Sequence, residues 1–288
     1  MPDKSPERKS TYIIDPESTA ELARLMQQDR LTTQLTGGIF PGGPDLSTMH
    51  AILDAACGPG GWVLDTAFAY PMAQVIGIDI SRKMVEYARA QAWSQRLNNA
   101  DFQVMDVLQP LNFPDNTFDL VNARFLASLV PTSAWPTLVQ EYVRVACPGG
   151  IIRLTEADSI GVTNSTACEK LSSMHTQALR LSGLGLSPDG RSFGVTPMLA
   201  RLLRDAGCVN IQQAPFIIDY SVGAEAHEGA SDNYMVAFQL LKPFLLKMKV
   251  TNEEEFDELY HQMLIEFYSD DFCGYGFILS VWGEKPRP

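Results

Sequence analysis

The apolar and polar positions of this chain follow two periods in turn. Compact apolar runs end in an acid at Ile52-Leu53-Asp54, Val75-Ile76-Gly77-Ile78-Asp79 and Phe102-Gln103-Val104-Met105-Asp106. Between them apolar residues recur three and four apart, as in Met84, Val85 and Ala88 after Ser81. A buried strand reads as a continuous apolar run, whereas a helix shows a stripe at helical spacing. Strands and helices thus alternate from Ala51 to Gly150, with a helix from Thr132 to Cys147. That order requires right-handed crossovers and a mainly parallel sheet. Ile151 to Leu154 reads as a fifth strand, Thr196 to Ala206 as a helix stopped by Gly207, Val209 to Asp219 as a sixth strand and Phe277 to Trp282 as the last.

The pattern changes on either side of this core. Asp15-Pro16 offers a cap and a first-turn proline, and Leu22, Leu25 and Met26 follow at helical spacing until the breakers Gly37 to Pro44. After Asp158, Ser165 to Leu181 reads as an inserted helix. Ser231 to Met248 is a second, interrupted by Pro243, and a third opens on a capping box, Thr251-x-x-Glu254. Phe256, Leu259, Tyr260, Met263, Leu264 and Phe267 share one face of it. The reading divides the chain into an N-terminal arm and helix (1–45), a nucleoside-binding core (46–158) and a remainder (159–288) holding the last core strands and a helical cap (159–195 and 222–272). The first ten residues are polar and expected to be mobile. They lack the apolar centre of a secretory signal, and no uncharged apolar run approaches the ~18 residues that span a bilayer.

A strand, a glycine loop, a helix and a second acid-tipped strand form a mononucleotide-binding half, with the second acid, Asp79, accepting the hydroxyls of a ribose. The loop can be spaced as Ala56-x-Gly58-x-Gly60 or as Ala56-x-Gly58-x-x-Gly61, so its glycines alone do not separate S-adenosylmethionine from a dinucleotide. Asp54 discriminates better. An acid at the first strand tip repels a pyrophosphate held at the helix start, and it suits sulfonium and ammonium charges.

From Asp54 to Gly60 the chain resembles the class I S-adenosylmethionine-dependent methyltransferases, particularly the ubiquinone-type small-molecule branch, with Ala56 where the usual first glycine stands. Asp79 with Ile80 and Met84, Asp106 with Val107, and Phe113 to Asn122, as the fourth strand and its approach, match the later segments, as does the turn Cys147-Pro148-Gly149-Gly150. The match is specific over residues 50–157. More loosely, the whole chain resembles bacterial natural-product methyltransferases, among them terpenoid C-methyltransferases. The resemblance implies an α/β fold of Rossmann-like, doubly wound type: a mainly parallel seven-stranded sheet with an antiparallel last strand at the edge beside the sixth, plus a helical cap. It implies S-adenosyl-L-methionine as cofactor, bound by Asp54, Ala56, Cys57, Gly58, Gly60, Asp79, Ile80, Met84, Asp106, Val107, Asn122 and Ala123. Arg30, Thr33 and Gln34 are placed to reach its methionine carboxylate.

On the acceptor side the candidates are Tyr12, Arg124, Tyr234 and Phe238. Arg124 reads equally as a structural ion-pair partner, and Met84 equally as core. Transfer of an activated methyl is dominated by positioning. A hydroxyl or amine acceptor needs one base, for which Glu156, Asp158 and His175 are candidates. An alkene carbon needs none before transfer, and aromatic faces would then steady a developing cation.

The net charge of −12 and a pI near 4.7 disfavour a nucleic-acid partner, since phosphate contacts need clustered Lys and Arg. Five scattered cysteines without a Cys-x-x-Cys pair argue against a disulfide framework or a zinc site and for a reducing, cytoplasmic compartment. The expected activity is methyl transfer to a small, mostly apolar metabolite at carbon or oxygen. A homo-oligomer is possible through the N-terminal arm. Two other classes stay open: a nicotinamide-dependent oxidoreductase and a non-catalytic S-adenosylmethionine-binding protein.

Overall fold

The computed structural model describes residues 11–288; the expected mobility of the first ten lies outside them. The acid-tipped runs become β1 (Ala51–Ala55), β2 (Gln74–Asp79) and β3 (Ala100–Val104), joined by β4 (Phe118–Arg124) and β5 (Ala146–Ala157). These five are parallel neighbours in the order β3-β2-β1-β4-β5. The expected turn at Cys147 to Gly150 falls inside β5, where the register against β4 jumps from Phe118↔Ala146 to Leu120↔Ile151.

Adjacent strand residues point to opposite faces, so each strand feeds two cores. Leu53, Val121 and Ile152 face α4 (Trp135–Val145) and α6 (Thr196–Asp205). Ile52, Val75 and Leu120 face α2 (Gly61–Ala69) and α3 (Arg82–Ser94). The far half of the sheet is antiparallel. β8 (Gly274–Glu284) lies between β5 and β7 (Val209–Asp219), pairing with both, so β7 rather than the last strand takes that edge. A two-residue strand, β6 (Val162–Thr163), adds to the end of β8 and makes eight strands among the described residues. It is too short to carry a periodic signal.

Helix starts follow local capping. α1 (Thr19–Leu35) begins later than Asp15. The Asp15 carboxylate instead accepts from the Glu17 amide at 3.0 Å in a turn, and Ser18 is the cap. α5 (Thr166–Ser182) is capped by Ser165. α7 (His227–Lys247) runs unbroken through Pro243. α8 (Glu253–Phe267) is capped by Asn252, whose oxygen accepts from the Glu255 amide at 3.0 Å, in place of the expected Thr251 box. α5, α7 and α8 enclose a separate apolar cluster around Phe238, Phe256, Phe267 and Phe272. α1 lies against α7 through Arg24 to Asn233 (3.0 Å), and Gln34 reaches Glu225 in the turn before α7 (2.6 Å). Among the described residues no helix is long and apolar enough to cross a membrane.

Candidate functional site

The parallel strands end together beneath α1, and two adjoining cavities open there. The first lies over the tips of β1 to β4 and the second under the cap. With their open mouths they hold about 1040 and 1320 Å³ of empty space. Tyr12, Leu25, Gln28 and Phe125 line both, so α1, the segment before it and the β4 tip form a common wall. Phe125 sits at φ +58°, a left-handed conformation uncommon for a bulky residue.

The first cavity gathers Asp54, Ala56, Cys57, Gly58, Asp79, Ile80, Met84, Asp106 and Val107. The glycine loop needs left-handed backbone at Ala56 (φ +57°), Gly58 (+53°) and Gly60 (+84°). Gly60 is buried and lies outside the lining; a Cβ there would meet the Phe102 ring at 2.5 Å, so packing demands the glycine. Asp79 ties the loop to the next helix, accepting from the Gly58 amide at 2.9 Å and the Ser81 amide at 2.8 Å. Burial raises its carboxyl, and those amide bonds oppose the rise. The Asp106 carboxylate accepts from the Leu108 amide at 2.9 Å. Burial pushes Asp54 up to about 7, against the opposing pull of Arg124 and of the Asn122 amide. A buried carboxyl so shifted in a cleft is a candidate functional group.

Several expected cofactor contacts fall elsewhere. Arg30 is exposed and lines neither cavity; one helical step earlier, Gln28 and Asp29 take the inward positions. Gln34 is engaged with Glu225, and the Thr33 hydroxyl is buried away from the cavity. Asn122 is fully buried beside the site and donates to Asp54 at 2.7 Å, so it positions that acid from behind. Ala123 packs in the sheet core. Arg124 lines the first cavity, paired with Asp29 of α1.

The second cavity is mostly apolar and aromatic, with Tyr12, Phe125, Phe193, Tyr234 and Phe277 in its wall. Tyr234 donates to the Ile160 carbonyl at 2.7 Å. Phe238, expected beside it, is fully buried in the cap core one helical turn away and does not line the cavity. The polar strip runs along α1. Arg24 is buried, bound to Glu21 at 2.6 and 2.7 Å and to Gln28 at 2.5 Å, while Tyr12 donates to Glu21 at 2.5 Å. This buried network escaped the sequence reading, although a Glu and Arg three apart on an apolar face were its signal.

His175 of α5 and Glu156 of β5 both reach this cavity. Neither His175 ring nitrogen has a hydrogen-bond partner among the described residues. Burial, and then the nearby Arg24 charge, lowers its pKa to about 4, so the ring is neutral at physiological pH. Glu156 accepts from the Leu126 and Ala127 amides at 2.6 and 3.4 Å, holding the turn after β4. Burial lifts it to about 8. Asp158 is taken up structurally, accepting from Val195 and from the Thr196 hydroxyl at 3.0 and 2.7 Å.

Residues 52–150 match the family model of a methyltransferase domain. The chain is 30% identical over 177 residues to nocamycin O-methyltransferase of Saccharothrix syringae, an alignment covering 56% of this chain and 60% of that one. It is 27% identical over 155 residues to methyltransferase str3 of Strobilurus tenacellus, covering 54% and 51%. It thus spans about half to three-fifths of the length of these relatives. The solved YcgJ protein of Bacillus subtilis shares the fold at a TM-score of 0.52 and 16% identity, covering 93% of this chain and 99% of that one. Residues 52–150 are a class I, S-adenosylmethionine-dependent methyltransferase domain, and the fold is Rossmann-like.

Proposed function

We propose that the protein transfers a methyl group from S-adenosylmethionine to carbon or oxygen of a small, mostly apolar acceptor in secondary metabolism. The observation that carries this reading is the shared wall: an acid-lined cavity over the glycine loop meets an apolar cavity at Tyr12, Leu25, Gln28 and Phe125. The donor set of the first cavity suits the cofactor, since Asp54, Asp79 and Asp106 face it with one paired arginine.

In this reading Asp79 accepts the ribose hydroxyls with lone pairs left over from Gly58 and Ser81. Asp106 accepts the adenine amino group, and Ile80, Met84 and Val107 pack on the ring. When bound, the cofactor supplies a methyl already activated on a sulfonium, so the protein's task is to align and to exclude water. Phe125 and Tyr12 set the line between the cavities, and α1 with the cap keeps solvent out. For an oxygen acceptor, neutral His175 takes the hydroxyl proton. For a carbon acceptor, the aromatic rings present their faces to the developing positive charge. The oxygen route has support in the name of the nocamycin O-methyltransferase relative. The acidic net charge makes a nucleic-acid acceptor a poor fit.

The test is incubation of the protein with S-adenosylmethionine and a panel of ring-bearing hydroxyl and alkene acceptors, read by mass spectrometry. An acceptor should gain one methylene as S-adenosylhomocysteine forms in equal amount. Cofactor binding with no transfer to any acceptor would favour a non-catalytic binding protein.

A further inference from the structure

The second cavity has one cationic wall, and its charge is matched from within the protein. Among the described residues that line this cavity, Arg24 is the only Lys or Arg, and it is 9% exposed. All three of its guanidinium nitrogens are engaged. Nε and Nη2 donate to the two carboxylate oxygens of Glu21 at 2.7 and 2.6 Å. Nη1 donates to the side-chain oxygens of Gln28 and Asn233 at 2.5 and 3.0 Å. Glu21 stands behind this arginine: it is fully buried, lies outside the cavity lining and accepts a further hydrogen bond from the Tyr12 hydroxyl.

Glu21, Arg24 and Gln28 follow at intervals of three and four along α1, so one helical face builds the network, and Asn233 of α7 completes it. Gln28 and Asn233 turn their oxygens to the guanidinium, which leaves their amide nitrogens as neutral donors in the cavity wall. His175, 7% exposed, adds an imidazole whose two nitrogens have no partner among the described residues. The polar groups offered to a ligand are therefore uncharged. A carboxylate or phosphate arriving at Arg24 has two ways to bind. It can displace Glu21, leaving a fully buried carboxylate without a counter-charge, which is strongly unfavourable. It can instead join Glu21 on the same guanidinium, which sets two like charges side by side in a desolvated site. A ligand with hydroxyl or carbonyl oxygens meets neither cost.

We infer that Glu21 restricts the acceptor to uncharged molecules: by holding the Arg24 guanidinium from behind, it closes the cationic wall of the second cavity to carboxylates and phosphates and leaves hydroxyl and carbonyl oxygens as the groups recognised there. The inference rests on the reading of the second cavity as the acceptor site and narrows the acceptor class of that reading. Selectivity of this kind comes from a cost placed on the wrong ligand. Glu21 is a positioning residue in this scheme, acting on the acceptor only through Arg24.

The experiment is calorimetric titration of the full chain with two probes of one shape, 4-octylphenol and 4-octylbenzoate. At about pH 7.5 the phenol is neutral and the benzoate ionised. The wild-type protein should bind the phenol at least tenfold more tightly than the benzoate. Glu21→Gln frees the guanidinium and should tighten benzoate binding at least tenfold while the phenol stays within about threefold. The double variant Glu21→Gln/Arg24→Gln removes both charges and should show no such gain. A folded Glu21→Gln protein with no gain for the benzoate overturns the inference, as does an equal gain in the double variant, which would report a loosened helix. The wild-type comparison needs no variant to fold, and equal or tighter binding of the benzoate there overturns the inference and leaves the acceptor reading standing. A wild-type protein that binds neither probe overturns both, and titration with S-adenosylhomocysteine in parallel tests the first cavity by itself.

Discussion

Burial lifts Asp54 to about 7, so a cation arriving beside it drives the carboxyl toward its ionised form. The free protein holds that proton below about pH 7 and the complex has released it. Affinity for S-adenosylmethionine should therefore rise as pH climbs from about 6 to about 8. Calorimetry in buffers of different ionisation heat reads the released proton, and Asp54→Asn should abolish it; a pH-independent affinity contradicts this. Glu156, lifted to about 8 from an ordinary 4.5, works on stability. Between those values the folded chain keeps a proton that the unfolded chain has lost, so stability falls as pH rises through that window and the full penalty stands above it. Glu156→Gln should therefore gain on the wild type in thermal melts between about pH 5 and pH 9, and parallel curves would refute the argument. The glycine loop gives a third test. Gly60→Ala combines a left-handed φ with a clash against Phe102 and should cost about 2 kcal/mol or more. Ala56→Gly relieves a left-handed alanine and should be neutral or stabilising by up to about 1 kcal/mol. Thermal unfolding of the two variants decides both. At this scale the acids of the first cavity were legible because each ends an apolar run. The role of Asn122 was not, because its contact with Asp54 depends on the β1–β4 register. Nor was the choice between Asp29 and Arg30, since neighbouring helix positions point about 100° apart and no local signal says which faces inward.

α1 is the element on which the two cavities depend. Its apolar stripe was readable, but Leu25 turned out to be a wall residue of both cavities while Leu22 is buried. Deleting residues 1–30 removes Tyr12, Leu25, Gln28 and Asp29 together. The sheet, whose two cores draw on other elements, should stay folded. The truncated protein should bind cofactor weakly and transfer almost no methyl. Light scattering alongside the activity assay separates the rival role for this helix, contact with a second copy. Loss of mass to half or less indicates the assembly role, and full activity at unchanged mass refutes both. Capping explains why helix boundaries were less legible than helices. Asp15 and Thr251 are good caps in isolation, yet the turn at Asp15 moved the first cap on to Ser18 and the second fell on the neighbouring Asn252. Pro243 was expected to break its helix, and α7 continues through it.

Across the whole molecule, the parallel half of the sheet followed from the alternation of period, because buried parallel strands and their crossover helices leave the strongest pattern. The antiparallel half was less legible. The position of β8 between β5 and β7 depends on pairings far apart in sequence, and the cap's division of aromatics between core and cavity, Phe238 inside and Tyr234 at the wall, appears only when the helices are assembled. The central claim is that the acid-tipped cavity holds S-adenosylmethionine. Charge-assisted hydrogen bonds of the kind assigned to Asp79 contribute on the order of 1.5–3 kcal/mol, which is about tenfold or more in affinity. The most direct measurement is calorimetric competition between S-adenosylhomocysteine and NAD on the wild-type chain and on Asp79→Ala. The account predicts one S-adenosylhomocysteine site per chain, no displacement by NAD, and at least tenfold weaker binding in the folded variant. Preferential binding of NAD, or unchanged affinity in folded Asp79→Ala, would contradict it.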